Sequence, residues 1–126
     1  MQEEGIVSVW IGEAASAEDF EQATTVSFSE DGEFLGSKFS QSLNIGYFDS
    51  GLIEAEYREA PCGSLQELLH DVSYAAQILR QFGTEVFEKR PNCFLLLYNY
   101  RFGGPAAFME NGVTLHFLGL ATYNAC

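Results

Sequence analysis

Asn92-Cys93-Phe94-Leu95-Leu96-Leu97-Tyr98-Asn99-Tyr100-Arg101 decides the fold class. The run from Phe94 to Tyr98 is apolar at every position. It is far shorter than the roughly 20 residues a membrane-spanning helix needs. Bounded by Pro91 on one side and Gly103-Gly104 on the other, it reads as a strand from Asn92 to Arg101, covered at least in part on both faces. A second stretch of the same character, Val113 to Tyr123, follows the Gly- and Pro-containing segment Phe102 to Gly112, so the two are expected to form an antiparallel pair.

Other elements extend outward from this pair. Gly5 to Ile11 alternates as a strand, with Val7, Val9 and Ile11 on one face and Ile6, Ser8 and Trp10 on the other. Gly51 to Tyr57 is a further strand. It turns Ile53, Ala55 and Tyr57 one way and Leu52, Glu54 and Glu56 the other, which implies one buried and one wet face. Ser64 and Glu67 form a capping-box pair ahead of a helix predicted over Leu65 to Phe82. Its Leu65, Leu68, Leu69, Val72, Ala75, Ala76, Leu79 and Phe82 recur at helical spacing, and Gly83 suits the position after its end. Ser16 caps a short helix over Glu18 to Ala23 with acids in its first turn, and Ser37 caps another through Leu43. Thr84 to Pro91 is a charged connection with room for a further helical turn. The expected architecture is α+β: one domain over residues 1–126, a mixed sheet of about four strands, and one long and two short helices packed on it.

The chain has 126 residues, 47% of them hydrophobic and eleven of them Phe. That is enough apolar material for a core and argues against disorder. The acidic N-terminus, Met1-Gln2-Glu3-Glu4, is unlike a secretory leader, and a cytoplasmic location is expected. Cys62, Cys93 and Cys126 are odd in number and without a CxxC spacing, so they read as reduced thiols rather than metal or redox ligands. No metal and no cofactor are expected.

Eighteen acids face six bases, giving a formal charge of -12, and nine of the acids precede Ser37 with no Lys or Arg among them. Such a field disfavours nucleic acid and anionic lipid and favours a basic protein partner. The alternative is that the acidity serves solubility alone.

Catalytic signals are few. His70 and His116 are the two histidines, and neither sits in a recognisable nucleophile or metal motif. Glu54 and Glu56 lie about 7 Å apart on one strand face, within the range of a glycosidase pair, yet alternating acids are also an ordinary solvent face. Ser29-Glu30-Asp31-Gly32-Glu33 is a turn without the ligand spacing of a calcium loop. Trp10 reads either as core, favoured by the usual burial of Trp, or as an aromatic anchor for a partner.

Val7-Ser8-Val9-Trp10-Ile11-Gly12, the acidic turn Glu30-Asp31-Gly32-Glu33-Phe34, Ser37-Lys38-Phe39, Phe48-Asp49 and Leu52-Ile53-Glu54-Ala55-Glu56 together resemble the immunity protein 22 family of bacterial polymorphic toxin systems. The resemblance extends through Ser73-Tyr74. It implies an antitoxin of the kind found in contact-dependent inhibition, without catalytic residues, that binds a cognate toxin domain. A basic nuclease would fit the charge. The expected contacts are Glu13, Glu18, Asp19, Asp31, Glu33, Asp49, Glu54 and Glu56 toward toxin Lys and Arg, with Trp10 and Tyr74 as apolar anchors. A monomer or weak dimer is expected. The competing readings are a small enzyme using a carboxylate or His pair and a homo-oligomerising structural module.

Overall fold

The computed structural model describes residues 2–82, 90–104, 107–110 and 112–124. Among the described residues, seven strands and four α-helices run in the order β1 (Gln2–Ala14), α1 (Ala17–Thr24), β2 (Ser27–Phe28), β3 (Phe34–Gly36), α2 (Lys38–Ser42), β4 (Ile53–Tyr57), α3 (Leu65–Leu69), α4 (Ala75–Phe82), β5 (Cys93–Tyr100), β6 (Ala107–Glu110) and β7 (Val113–Thr122), with a 3-10 turn over Ser50–Leu52 before β4. β4, β5, β1, β7 and β6 form one sheet in that order, while β2 and β3 make a separate two-stranded ribbon.

The sheet is antiparallel throughout rather than mixed, and it has five strands. β5 and β7 do not pair with each other as expected. β1 lies between them, matching Val9 to Leu96 on one side and Ile11 to His116 on the other. The reason lies in the connection before β7. Part of it, Ala107–Glu110, is itself a strand that pairs with β7, so β7 spends its other edge on β1.

β1 is the longest strand, and from Ile6 to Trp10 it is buried on both faces, as β5 is over most of its length. Trp10 and Ala14 point to a layer made by α1, α2 and the segment around Ile45 and Phe48, where they join Phe20, Phe39, Leu95, Leu97, Phe108 and Leu115. Val7 and Val9 point to α3 and α4, where they join Leu65, Leu68, Leu69, Ile78, Phe94 and Leu96. The apolar run of β5 divides between the two layers by parity, as a doubly covered strand requires. The protein is therefore three layers deep: helices and ribbon, sheet, helices.

Gly12 ends the Val-Ser-Val-Trp-Ile-Gly hexapeptide for a steric reason. A Cβ there would lie 1.7 Å from the carbonyl oxygen of Thr114 on β7. The close approach of β1 and β7 requires its absence.

Two of the helix expectations hold. Ser16 accepts a hydrogen bond from the Asp19 N–H at 3.1 Å and starts α1, and Ser37 and Ser40 form a reciprocal box that starts α2. The long helix does not form. Ser64 caps α3 as expected, but the helix stops at Leu69, and a second helix begins at Ala75. Tyr74 between them has φ of 60°. The break is held by distant partners: the Ser73 N–H donates to Glu54 on β4, and the Tyr98 hydroxyl from β5 lies 2.8 Å from the Ser73 carbonyl. A straight helix would have carried α4 off the sheet. The break lets both short helices set their apolar stripes on it. The expected Gly83 cap and most of the 84–91 connection lie outside the described residues, as does Cys126.

Candidate partner-binding surface

A groove opens where the N-terminal end of β1 meets β4 and β5. Its two adjoining clefts have volumes of about 390 and 350 Å³ and share Leu52, Tyr98 and Asn99. Glu3, Glu4, Tyr47 and Asp49 line the first; Glu54, Ser73, Tyr74 and Tyr123 line the second. The sequence makes this groove by two departures from regular structure. β1 bulges between Gln2 and Val7, which turns Glu3 and Glu4 away from the strand ladder. Tyr74 and Asn99 both adopt the left-handed backbone region, which positions the side chains on either side of the second cleft.

Three tyrosines pack there. The Tyr74 and Tyr123 ring centroids are 4.8 Å apart, and Tyr98 stands edge-on to both. The Tyr98 hydroxyl lies 2.5 Å from Glu54 Oε1, a short charge-assisted contact. Burial and then the Glu54 carboxylate raise the Tyr98 phenol well above its ordinary range, so it remains a donor. The Tyr123 hydroxyl donates to Asn99 Oδ1, which also accepts from the Gly5 N–H and so fixes the bulge of β1.

A row of rings leads away from the groove along the ribbon. Phe28 meets Phe34 at 6.0 Å, and Phe34 meets Tyr47 at 5.0 Å and the buried Phe48 at 5.1 Å. Phe28 is 53% exposed and Tyr47 64%. The ribbon tip carries Glu30, Asp31 and Glu33, all exposed.

The ten residues singled out from the sequence fall in different places. Asp49, Glu54 and Tyr74 come together in the groove. Asp31 and Glu33 lie at the ribbon tip, while Glu18 and Asp19 stand in the first turn of α1. Glu13 is exposed near the far end of β1. Trp10 is fully buried against Phe39, Phe102 and Phe117 and presents no surface to a partner; it belongs to the core. Its Nε1 has no hydrogen-bond partner among the described residues. Glu54, half-buried at the cleft, accepts from Ser73 and Tyr98, and Glu56 lies 3.6 Å from Arg58. Arg58 also binds Asp71 at 2.7 Å, donates to the Leu68 carbonyl near the end of α3 and sits over the Phe94 ring. That guanidinium holds the Asp71 carboxyl below its usual range.

Phe28, Phe34, Tyr47, Glu3 and Glu4 were missed. Aromatics flanking the Ser29–Glu33 turn were the available signal, but eleven Phe offer no means of telling an exposed ring from a core one. Glu3 is held by Arg101 through a 2.7 Å contact that lowers its carboxyl pKa. Among the described residues, it is the sole one of the nine acids before Ser37 in an ion pair.

The features an enzyme reading requires do not converge. His70, at the end of α3, and His116, on β7, are both exposed, and the Glu54–Glu56 pair is engaged with structural partners. Among the described residues no cluster of His, Cys, Asp and Glu could hold a metal, and no helix is long and apolar enough to cross a membrane. Cys62 and Cys93 are free and buried, and burial raises both thiols.

No curated protein and no solved structure matches the chain. Residues 7–124 match the family described as immunity protein 22, and the chain therefore belongs to the immunity protein 22 family.

Proposed function

We propose that this chain neutralises a cognate toxin domain with a basic active surface, a nuclease being the class that best suits it, by covering that surface with its carboxylates. Immunity proteins of polymorphic toxin systems bind a cognate toxin. The finer reading rests on one observation. Glu4, Glu13, Glu18, Glu21, Glu30, Asp31 and Glu33 are all exposed, and among the described residues none is in an ion pair. A folded protein gains nothing in stability from so many unneutralised like charges, which repel one another. Against a phosphate-binding surface they supply complementary charge and steer encounter.

The test is calorimetric titration with the C-terminal domain of a secreted toxin found encoded beside this chain. A one-to-one complex is expected, weakened roughly tenfold or more by Asp31→Lys with Glu33→Lys. Unchanged affinity in that variant would remove the electrostatic claim, and absence of any complex would remove the toxin assignment.

A further inference from the structure

Resting on that toxin-binding reading, we infer that the ribbon side of the molecule is the docking face, with the Phe28–Phe34–Tyr47 row as its apolar anchor. A single exposed apolar side chain is ordinary on a protein surface, whereas a contiguous set marks an interface. This row is contiguous and rooted: Phe34 touches the buried Phe48 at 5.1 Å and passes outward to Phe28 at 6.0 Å and Tyr47 at 5.0 Å. More than half of Phe28 and of Tyr47 is in water.

The ribbon strands, Ser27–Phe28 and Phe34–Gly36, are too short to be stable by themselves, and holding aromatic rings in solvent adds nothing to folding. Their placement is explained by a partner. At the tip Glu30, Asp31 and Glu33 stand exposed, and Asp49 follows Tyr47 and the buried Phe48. An apolar centre with a polar rim is the usual anatomy of a protein interface, with aromatic side chains as its energetic anchors. The rim is anionic, so the occupant is cationic. A second copy of this chain, carrying the same charge of -12, would be repelled. Among the described residues no other row of rings stands so exposed: Tyr74, in the cleft adjoining that of Tyr47, is packed on Tyr123 and Tyr98, and Met109 on β6 borders a cleft of about 490 Å³ with Pro91, His116 and Leu118.

The test is the affinity of Phe28→Ala/Tyr47→Ala for the same toxin domain, with Met109→Ala, 72% exposed on β6, as the matched control. The double variant is expected to bind at least roughly tenfold more weakly, chiefly through faster dissociation, and the control to bind as the native chain does. Affinity retained within about twofold in the double variant overturns the docking face while leaving the toxin assignment standing; a native chain that binds no toxin removes both. Hydrogen exchange on the unmutated complex does not depend on the variant folding. Protection confined to residues 27–36 and 45–49 is expected, and protection on α3 and α4 instead contradicts the assignment. Protection of the ribbon in the free chain that grows with its own concentration would make the occupant a second copy, and would equally overturn the proposal.

Discussion

Gly12 has no room for even a methyl group. A Cβ there would meet the Thr114 carbonyl oxygen at 1.7 Å and its carbon at 2.7 Å, both on backbone that cannot swing aside. Gly12→Ala should cost about 3 kcal/mol or more, because two paired strands of the core must separate. Urea unfolding measures this, and a native midpoint would contradict the close approach. Cys93 makes a second prediction. Burial, and then the negative charge of Glu13, push its thiol from 9.0 up to about 12. The unfolded chain releases this proton near 9 while the folded chain keeps it. The linked stability is therefore whole below pH 9 and is lost as the pH rises toward 12, at no more than ~1.4 kcal/mol per unit. Unfolding free energies at about pH 8 and about pH 10 should differ in this direction, and the difference should shrink in Cys93→Ala. Equal losses in both proteins would show that the thiol is not the source. Tyr98, raised by burial and by Glu54, acts in the same direction at higher pH.

At the scale of the element, the break between α3 and α4 decides how the α-helical layer sits on the sheet. In a continuous helix Ala at position 74 would outdo Gly by about 0.5–1 kcal/mol. With φ of 60° at Tyr74 the order reverses, and Tyr74→Gly should be more stable than Tyr74→Ala by about 1 kcal/mol. Denaturation of the two variants side by side settles it, and Ala above Gly would restore the single helix. That single helix was the natural reading of the sequence, since the Ser64 cap and the apolar stripe from Leu65 to Phe82 give no local reason to stop. The reason is remote: Ser73 is bonded to Glu54, nineteen residues earlier, and lies against Tyr98, twenty-five later. The same limit hid the ribbon and β6, whose two to four residues carry no period to detect. It also hid the order of the sheet, because hydrophobic runs identify strands but not their neighbours. Caps were legible at Ser16, Ser37 and Ser64 because their partners lie three residues away. The hydrophobic face alternation of β1 was legible for the same reason.

For the whole molecule, the sequence showed how much charge there is but not where it faces. Glu54 and Glu56 were read as part of a free anionic face, yet one is bound by Ser73 and Tyr98 and the other by Arg58. Glu4, Glu13, Glu18 and Glu21 and the acids of the ribbon tip are left in solvent, and the groove with its tyrosines gathers Asp49 and Glu54 with Glu3 and Glu4, which no spacing connects. Other layers cover much of both faces of the sheet, which leaves those layers, the rim and the open part of β6 and β7 around Met109 and His116 to meet a partner. On the proposed reading, the exposed carboxylates of the N-terminal half carry the electrostatic part of that encounter. Stopped-flow association with the cognate toxin domain over a range of salt concentrations tests this most directly. The rate constant should fall on the order of tenfold or more between low and high salt, with dissociation changing much less. An association rate indifferent to salt would contradict the claim that these carboxylates meet a cationic surface.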